Sequence, residues 1–413
     1  MKYSFLFASI LAVSSCFNPF NKEQPALTPQ RDLGLTARRL VVPEKFSKEI
    51  TITESVFLPH GFTAKVFYAG RLDKARFMAW SPDSVLHVAN KSSGEILALP
   101  DRNHDGEADT AIVVARDLHL PHDLKFHAGA LYVAEERRVV RLTDNDGDGI
   151  YERRTVFIDD IAQGAEQPGG GHDTRTIVFD PQHHAMYLSI GSSCNVCRED
   201  GRAIIERYAE DGTGRRVYAR GVRNAVGMAL HPRTGRLWAT NNGSDWQGDD
   251  IPPEWIDEVR DGGFYGHPFA WGDGRFFDFT ILVGGYRDLL PITAADSTLV
   301  RSMKHPAALV QAHTAPMAIE FPNPSFSERF RSGAFVSLRG SWNRRVPAGY
   351  KVIYLHMKAD SAVDYVSDFL TGFTTKNRSW ARPVGLATDS RGNLYVSSDA
   401  NKEFIAIVSP SKE

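Results

Sequence analysis

The segment GHDTRTIVFDPQHHAMYLSIG, residues 171–191, sets His172, Asp173 and Arg175 just ahead of two short apolar runs separated by a polar turn. A neutral imidazole can accept a proton near neutral pH, and a guanidinium beside it can hold an anionic ligand. Similar polar residues stand at the start of other strand-like stretches: Arg76, His122, Arg223 with Asn224, His313 with Thr314, and Arg382. Brought to one place, they would form an anion-binding pocket with a base available. The bland alternative is that they solvate a water-filled channel.

Repetition is what would bring them together. Six stretches, at 74–89, 121–135, 171–191, 221–240, 313–338 and 381–398, share one plan: a polar pair, an alternating apolar strand, a turn, and a second strand ending in small residues. Period-two alternation marks half-buried strands, and the Pro, Asp and Gly turns mark hairpins. A multi-strand repeat of roughly 40–50 residues is the pattern of propeller blades. An all-β, six-bladed β-propeller is therefore expected over residues 46–413, with the first strand of each blade lining a central channel and radial closure leaving few free sheet edges.

Two acidic loops recur after the third strands of the first two blades. DRNHDGEAD places Asp101, Asn103, Asp105 and Asp109 around Gly106, and DNDGDGIYE places Asp144, Asp146, Asp148 and Glu152 around Gly149. Oxygen ligands at alternate residues with a Gly at the sharp turn suit calcium, in a role that staples outer loops. A third acidic stretch, 241–268, leaves the channel strand of the fourth repeat with Asp245, Asp249, Asp250 and Glu254, either as a solvated loop or as a metal site over the channel. Cys194 and Cys197 are too few thiols for a zinc site; a local disulfide in an oxidising compartment is expected, with a redox pair as the other reading.

With 413 residues, 42% hydrophobic and 24% charged, the chain has the composition of a soluble globular protein large enough for a sizeable core. A formal net charge of -2 gives no reason to expect a nucleic-acid partner. Lys2 is followed by an apolar run, too short to span a bilayer, and then by VSSC. The reading is a signal peptide over 1–15, a lipidated Cys16 as the only membrane attachment, and a flexible Pro-containing tether over 16–45. The mature protein would be exported and periplasm-facing, with the outer membrane as the expected site of the anchor.

From about residue 55 to the C-terminus, GHDTRTIVFDP, ARGVRNAVGMALHP, DGGFYGHP, AHTAPMAIEF, GSWNRRVPAGYKV and RPVGLATDSRGNLYVSSD occur in an order that resembles the pyrroloquinoline quinone (PQQ)-dependent sugar dehydrogenases, most closely the sorbosone dehydrogenase-like branch. The resemblance implies a six-bladed propeller with PQQ over the channel and calcium bound to the quinone. It casts His172 as the base that takes a proton from a sugar hydroxyl or hydrated aldehyde while hydride moves to the quinone. Arg76, Arg223, Asn224, Thr314, Arg339 and Arg382 become cofactor contacts; Asp249, Asp250 and Tyr265 match the calcium segment. Electrons would pass to a quinone or a cytochrome c. His267 stands where relatives usually show Trp, Arg339 where they have Lys or His, and Asp399 remains from a commoner pair of aspartates. Two other readings compete: a non-catalytic propeller lipoprotein that binds a glycan or protein, and a calcium-dependent lactonase, which needs a channel-centred metal held by carboxylates.

Overall fold

The computed structural model describes residues 26–162, 171–376 and 378–411. The expected signal peptide, Cys16 and the tether as far as residue 25 lie outside the described residues. Six antiparallel blade sheets follow one another along the chain. Their innermost strands are Ala75–Trp80, Asp123–His127, Ile177–Asp180, Met228–Leu230, Pro316–Glu320 and Ala381–Thr388, and each packs against the next, the last against the first. The six sequence repeats are the inner hairpins of these blades, and the fold is the expected six-bladed β-propeller.

The ring closes by pairing chain ends. Phe62–Tyr68 runs antiparallel to Phe404–Pro410, so the outer part of the last blade comes from the beginning of the chain. Thr36–Val41 and Ser55–Leu58 widen that sheet to six strands. This corrects the tether, whose expected span ran to residue 45. Thr28 and Arg31 already bond to the backbone of Leu309 and Val366 at 2.9 Å, and Leu40 is buried in the core. The prolines before residue 30 marked a polar stretch, but the apolar side chain of Leu40 decides where the chain attaches.

The second strands also depart from expectation. Leu86–Asn90, Ala130–Ala134, Ala185–Ile190, Leu237–Asn241 and Ala334–Leu338 are buried at every position rather than half-buried, because both faces of each sheet are covered by neighbouring blades.

Their small terminal residues have a defined use. Thr240 Oγ1 accepts from Gly227 N at 2.9 Å and donates to Met317 O, on the next blade's inner strand, at 2.7 Å. Ser397 does the same between Gly385 N and Arg76 O, both at 2.8 Å, and Ser337 links Ala318 N to Val384 O. At the other junctions Thr176 donates to Val226 O, Asp123 accepts from Ile177 N, and Phe77 N donates to His122 O. The hydroxyls satisfy buried backbone groups and fix the rotation of each blade against the next. Two glycines make the approach possible. A Cβ at Gly227 would stand 2.0 Å from Met317 O and one at Gly385 2.3 Å from Arg76 O, which is why GVRNAVG and RPVG carry glycine there.

Candidate active site

His172 lies just before the third inner strand. Its backbone N–H meets Ser192 O at 3.2 Å and its Nδ1 meets the same oxygen at 2.7 Å. A carbonyl only accepts, so the ring proton sits on Nδ1 and Nε2 offers its lone pair. The closeness requires Gly191, where a Cβ would lie 2.7 Å from His172 Cβ and 2.6 Å from Asn224 Oδ1. Buried Arg175 donates to the backbone oxygens of His172 and Thr174 at 2.9 and 2.8 Å and so holds the segment from beneath. Burial, followed by the charge of Arg223, drives the His172 pKa down to about 3 against the pull of Ser192 O, so the imidazole is neutral at physiological pH.

A basic arc assembles from the first, fifth and sixth blades. Asp399, 2% exposed, accepts from Arg76 and, at 2.9 Å, from Arg339. Arg76 Nε also donates to His122 Nδ1 at 3.1 Å, and His122 is buried and held well below its ordinary pKa by burial and then by Arg76. Burial lowers the Arg339 pKa, Asp399 opposes this, and the charges of Arg76 and Arg382 add to it, which places the three guanidiniums within one another's field. Arg382 donates to Ser341 O at 3.0 Å and lies 5.2 Å from the Tyr350 ring centre. Sequence reasoning missed Lys91, which follows the second strand of the first blade and grips Asp173 at 2.8 Å. Its signal was weak: a lysine in a turn is ordinarily a solvated one.

On the fourth blade, Arg223 is committed to the loops around it, donating to Asn195 O at 2.8 Å, to Asn195 Oδ1 at 3.1 Å and to Asp245 at 3.3 Å. Asp245 also accepts from Asn343 at 2.7 Å. Asn224 N bonds to Asn241 Oδ1 at 2.9 Å, leaving its own side-chain oxygen without a partner. Thr314 gives its hydroxyl proton to Gln311 O at 2.8 Å and closes a turn, while His313 Nε2 bonds to Gly248 O at 2.8 Å.

The carboxylates of the expected calcium segment are engaged in ion pairs. Asp249 pairs with Arg345 at 3.1 Å and Asp250 with Arg344 at 3.3 Å, while Tyr265 is buried against Trp255 with its hydroxyl bonded to Glu258 O. Glu254 is buried beneath Gly243 N, and burial pushes its pKa up to about 8. The neighbouring arginines, remote in sequence, compete for the carboxylates that spacing alone had grouped. The first acidic loop is likewise committed: Asp101 accepts from the amides of Asp105 and Gly106 at 3.1 Å, Asn103 donates to Asp105 at 2.8 Å, and Asp109 accepts from Arg102 N at 2.9 Å. The second loop differs, since Asp144, Asp146, Asp148 and Glu152 bring one ligand oxygen each within 4.8 Å of one another.

Cys194 and Cys197 form the expected disulfide. It closes a turn between Ser193 and Glu199, whose carboxylate accepts from Ser193 N and Oγ at 2.9 and 2.7 Å. Burial opposes ionisation of Glu199, but His267, 3.8 Å away, and the Ser192 and Ser193 donors hold its pKa down to about 2. Among the described residues the only other grouping within metal-ligand reach is Cys194, Cys197 and Glu199, and the disulfide occupies its sulfurs.

The site has unmet bonds. Among the described residues, Asn224 Oδ1, Asn343 Oδ1, Arg382 Nε and both ring nitrogens of His267 are buried and find no hydrogen-bond partner, although His267 Nε2 faces Glu199 at 3.8 Å. Buried polar atoms are nearly always satisfied, and of these Asn224 and His267 lie near His172. A flat quinone bearing several carboxylates fits: the guanidiniums of Arg76, Arg339 and Arg382 and the ammonium of Lys91 supply positive charge, and Arg offers its donors in a fork matched to a carboxylate.

Two outcomes follow. Asp399→Asn leaves Arg76 and Arg339 without their buried counter-charge, and chemical denaturation should show a loss of about 3 kcal/mol; an unchanged midpoint would contradict the bridging role. In cofactor-free protein, the His172 ring nitrogens followed by NMR should keep the neutral Nδ1–H signature from pH 8 down to pH 5, because the folded pKa is about 3. A midpoint near 6.5 would show the ring to be solvated instead.

A family model described as TrAA12-like matches residues 56–251 and 264–410. A pyrroloquinoline quinone-dependent pyranose dehydrogenase from Coprinopsis cinerea is 26% identical over 291 residues, 57% of this chain and 39% of its own length. A pyrroloquinoline quinone-dependent sugar dehydrogenase from Hypocrea jecorina (strain QM6a) is 24% identical over 338 residues, 70% of this chain and 74% of that one. Among solved structures, the holo form of the Coprinopsis cinerea pyranose dehydrogenase PQQ domain aligns with a TM-score of 0.71 at 22% identity, covering 90% of this chain and 100% of that one. The calcium structure of a Trichoderma reesei family AA12 carbohydrate-active enzyme gives 0.71 at 20% identity, covering 88% and 99%. These likenesses share the six-bladed fold, and the family model spans most of the propeller. The chain belongs to the TrAA12-like family.

Proposed function

We propose that this protein is an exported quinoprotein that oxidises a sugar or sugar aldehyde of the aldose or sorbosone type, with PQQ held over the channel and His172 as the general base. The observation that carries the reading is a neutral imidazole with its proton fixed on Nδ1 by Ser192 O, set in the field of Arg223 and next in sequence to Asp173, which lies in the field of Arg76. Bound there, PQQ supplies the two-electron acceptor for a hydride leaving the sugar carbon. Nε2 of His172 accepts the hydroxyl proton, and Ser192 O stabilises the imidazolium that results by accepting from its Nδ1–H. Arg76, Arg339 and Arg382 hold the cofactor's carboxylates and supply the positive field that favours negative charge developing on the quinone.

Calcium enters the proposal at the loop of Asp144, Asp146, Asp148 and Glu152, as an ion that staples the second blade's outer turn. Beside the quinone, the expected side-chain ligands are committed to Arg344 and Arg345, and no catalytic role is drawn from a calcium there. Export through a leader cut before a lipidated Cys16 agrees with the Cys194–Cys197 disulfide, since disulfides persist in oxidising compartments. A membrane quinone or a cytochrome c would then re-oxidise the cofactor. Among the described residues no helix is long and apolar enough to cross a membrane.

The test is dye reduction by protein loaded with PQQ and calcium, over a panel of aldoses and sugar aldehydes. Turnover without NAD is expected, falling by about 10²–10⁴-fold in His172→Ala, the range for a lost general base. A loaded, folded protein that reduces no dye with any member of the panel would leave a non-catalytic sugar- or protein-binding propeller in its place.

A further inference from the structure

Two loops of the candidate site each raise a tryptophan into solvent. Trp246 is 49% exposed and Trp342 66% exposed, and their rings meet edge to face with centroids 5.7 Å apart. Neither position is incidental to the site. Trp246 follows Asp245, the carboxylate that holds Arg223. Trp342 stands between Ser341, whose carbonyl accepts from Arg382, and Asn343, whose amide donates to Asp245 at 2.7 Å. The pair therefore sits on the rim that the fourth and fifth blades share above the basic arc.

The backbone is shaped to present these rings. Trp246 has φ +75°, a left-handed conformation that a bulky residue adopts only where its surroundings enforce it. Gly284, at φ +76°, passes so close that a Cβ there would lie 2.7 Å from Trp246 Cδ1. Gln247 pins the following turn to Asp278 through bonds of 3.2 and 3.0 Å. An exposed large aromatic surface held in a strained, braced loop beside a polar concavity is a recognition feature rather than a scattered surface residue.

We infer that Trp246 and Trp342 form a second sugar subsite, and that the substrate is an oligosaccharide whose reacting residue enters the site while the next ring stacks on this aromatic corner. The inference rests on the sugar oxidation proposed above. A pyranose ring offers an apolar C–H face and a polar edge. The indoles meet the apolar face and leave the hydroxyl edge to solvent. Two partly exposed indoles present on the order of 300 Å², well short of the ~800 Å² per partner that a stable protein interface requires.

The test compares kcat/KM for a monosaccharide and for the trisaccharide built from it, in wild type, Trp342→Ala and Trp246→Gly, the last chosen because glycine accepts the positive φ. Each variant should lose about tenfold on the trisaccharide, the scale of one lost aromatic stacking contact, and less than about twofold on the monosaccharide; Trp342→Phe should recover part of the loss. In cofactor-free protein the trisaccharide should quench tryptophan fluorescence, and the quench should disappear in the double variant. Equal losses on both sugars, or unchanged sugar kinetics with slowed reduction of a cytochrome c, would overturn the subsite in favour of a structural rim or a protein-docking face. Quenching without turnover in loaded wild type would sink the dehydrogenase reading while the subsite stands. Turnover of both sugars with no difference between variants would do the reverse.

Discussion

The Asp399 carboxylate, held between Arg76 and Arg339 at the junction of the first, fifth and sixth blades, is the interaction on which the rest of the site depends. A propeller brings the starts of its inner strands together, and in this chain several of those starts carry cations. Guanidiniums that approach one another while partly buried repel strongly, because low dielectric magnifies like-charge interactions as much as attractive ones. One buried carboxylate offsets part of that repulsion, and on the neighbouring side Asp173 does the same for Lys91. The remaining positive field is stored in the folded protein, ready for an anionic ligand that supplies the missing charge. Charged groups fixed by such pairs are preorganised, which is the property that electrostatic catalysis needs.

The fold makes this arrangement rigid through the hydroxyl links between blades. Thr240, Ser337 and Ser397 each accept from their own inner strand and donate to the next, so displacing one blade breaks bonds on both sides. The pairing of Phe62–Tyr68 with Phe404–Pro410 then closes the ring. His172 inherits its orientation from the same framework. Ser192 stands two residues past a fully buried strand, and an imidazole bonded to its carbonyl has its tautomer chosen by the backbone rather than by solvent.

Much of the architecture was legible from residues 74–89 through 381–398, since alternation, turn chemistry and small strand ends are local signals repeated six times. Arg76, Arg339 and Arg382, picked out by their places in those repeats or in the family motifs, do come within one another's field. What failed to read was pairing across long sequence distances. Asp249 and Asp250 matched a calcium segment through the family resemblance, and Arg344 and Arg345, close in space and remote in sequence, pair with them. Lys91 and Asp173 are 82 residues apart, and nothing local announces their contact. Residues 26–45 read as tether because prolines and polar groups dominate their start, whereas strand addition to the last sheet depends on an edge formed by the far end of the chain. Both acidic loops bond their carboxylates to backbone amides, but the second also brings four ligand oxygens within 4.8 Å of one another, a difference that the similar spacing concealed.

The central claim is that this cationic concavity is built for a polycarboxylate quinone. Calorimetric titration of PQQ into the cofactor-free protein, at low and high salt and with Arg382→Met alongside, tests it most directly. The account predicts saturable binding at a single site that weakens as salt rises and weakens further in the variant, because the guanidinium arc supplies the attraction. No binding by the folded protein, or binding indifferent to both salt and Arg382, would contradict it.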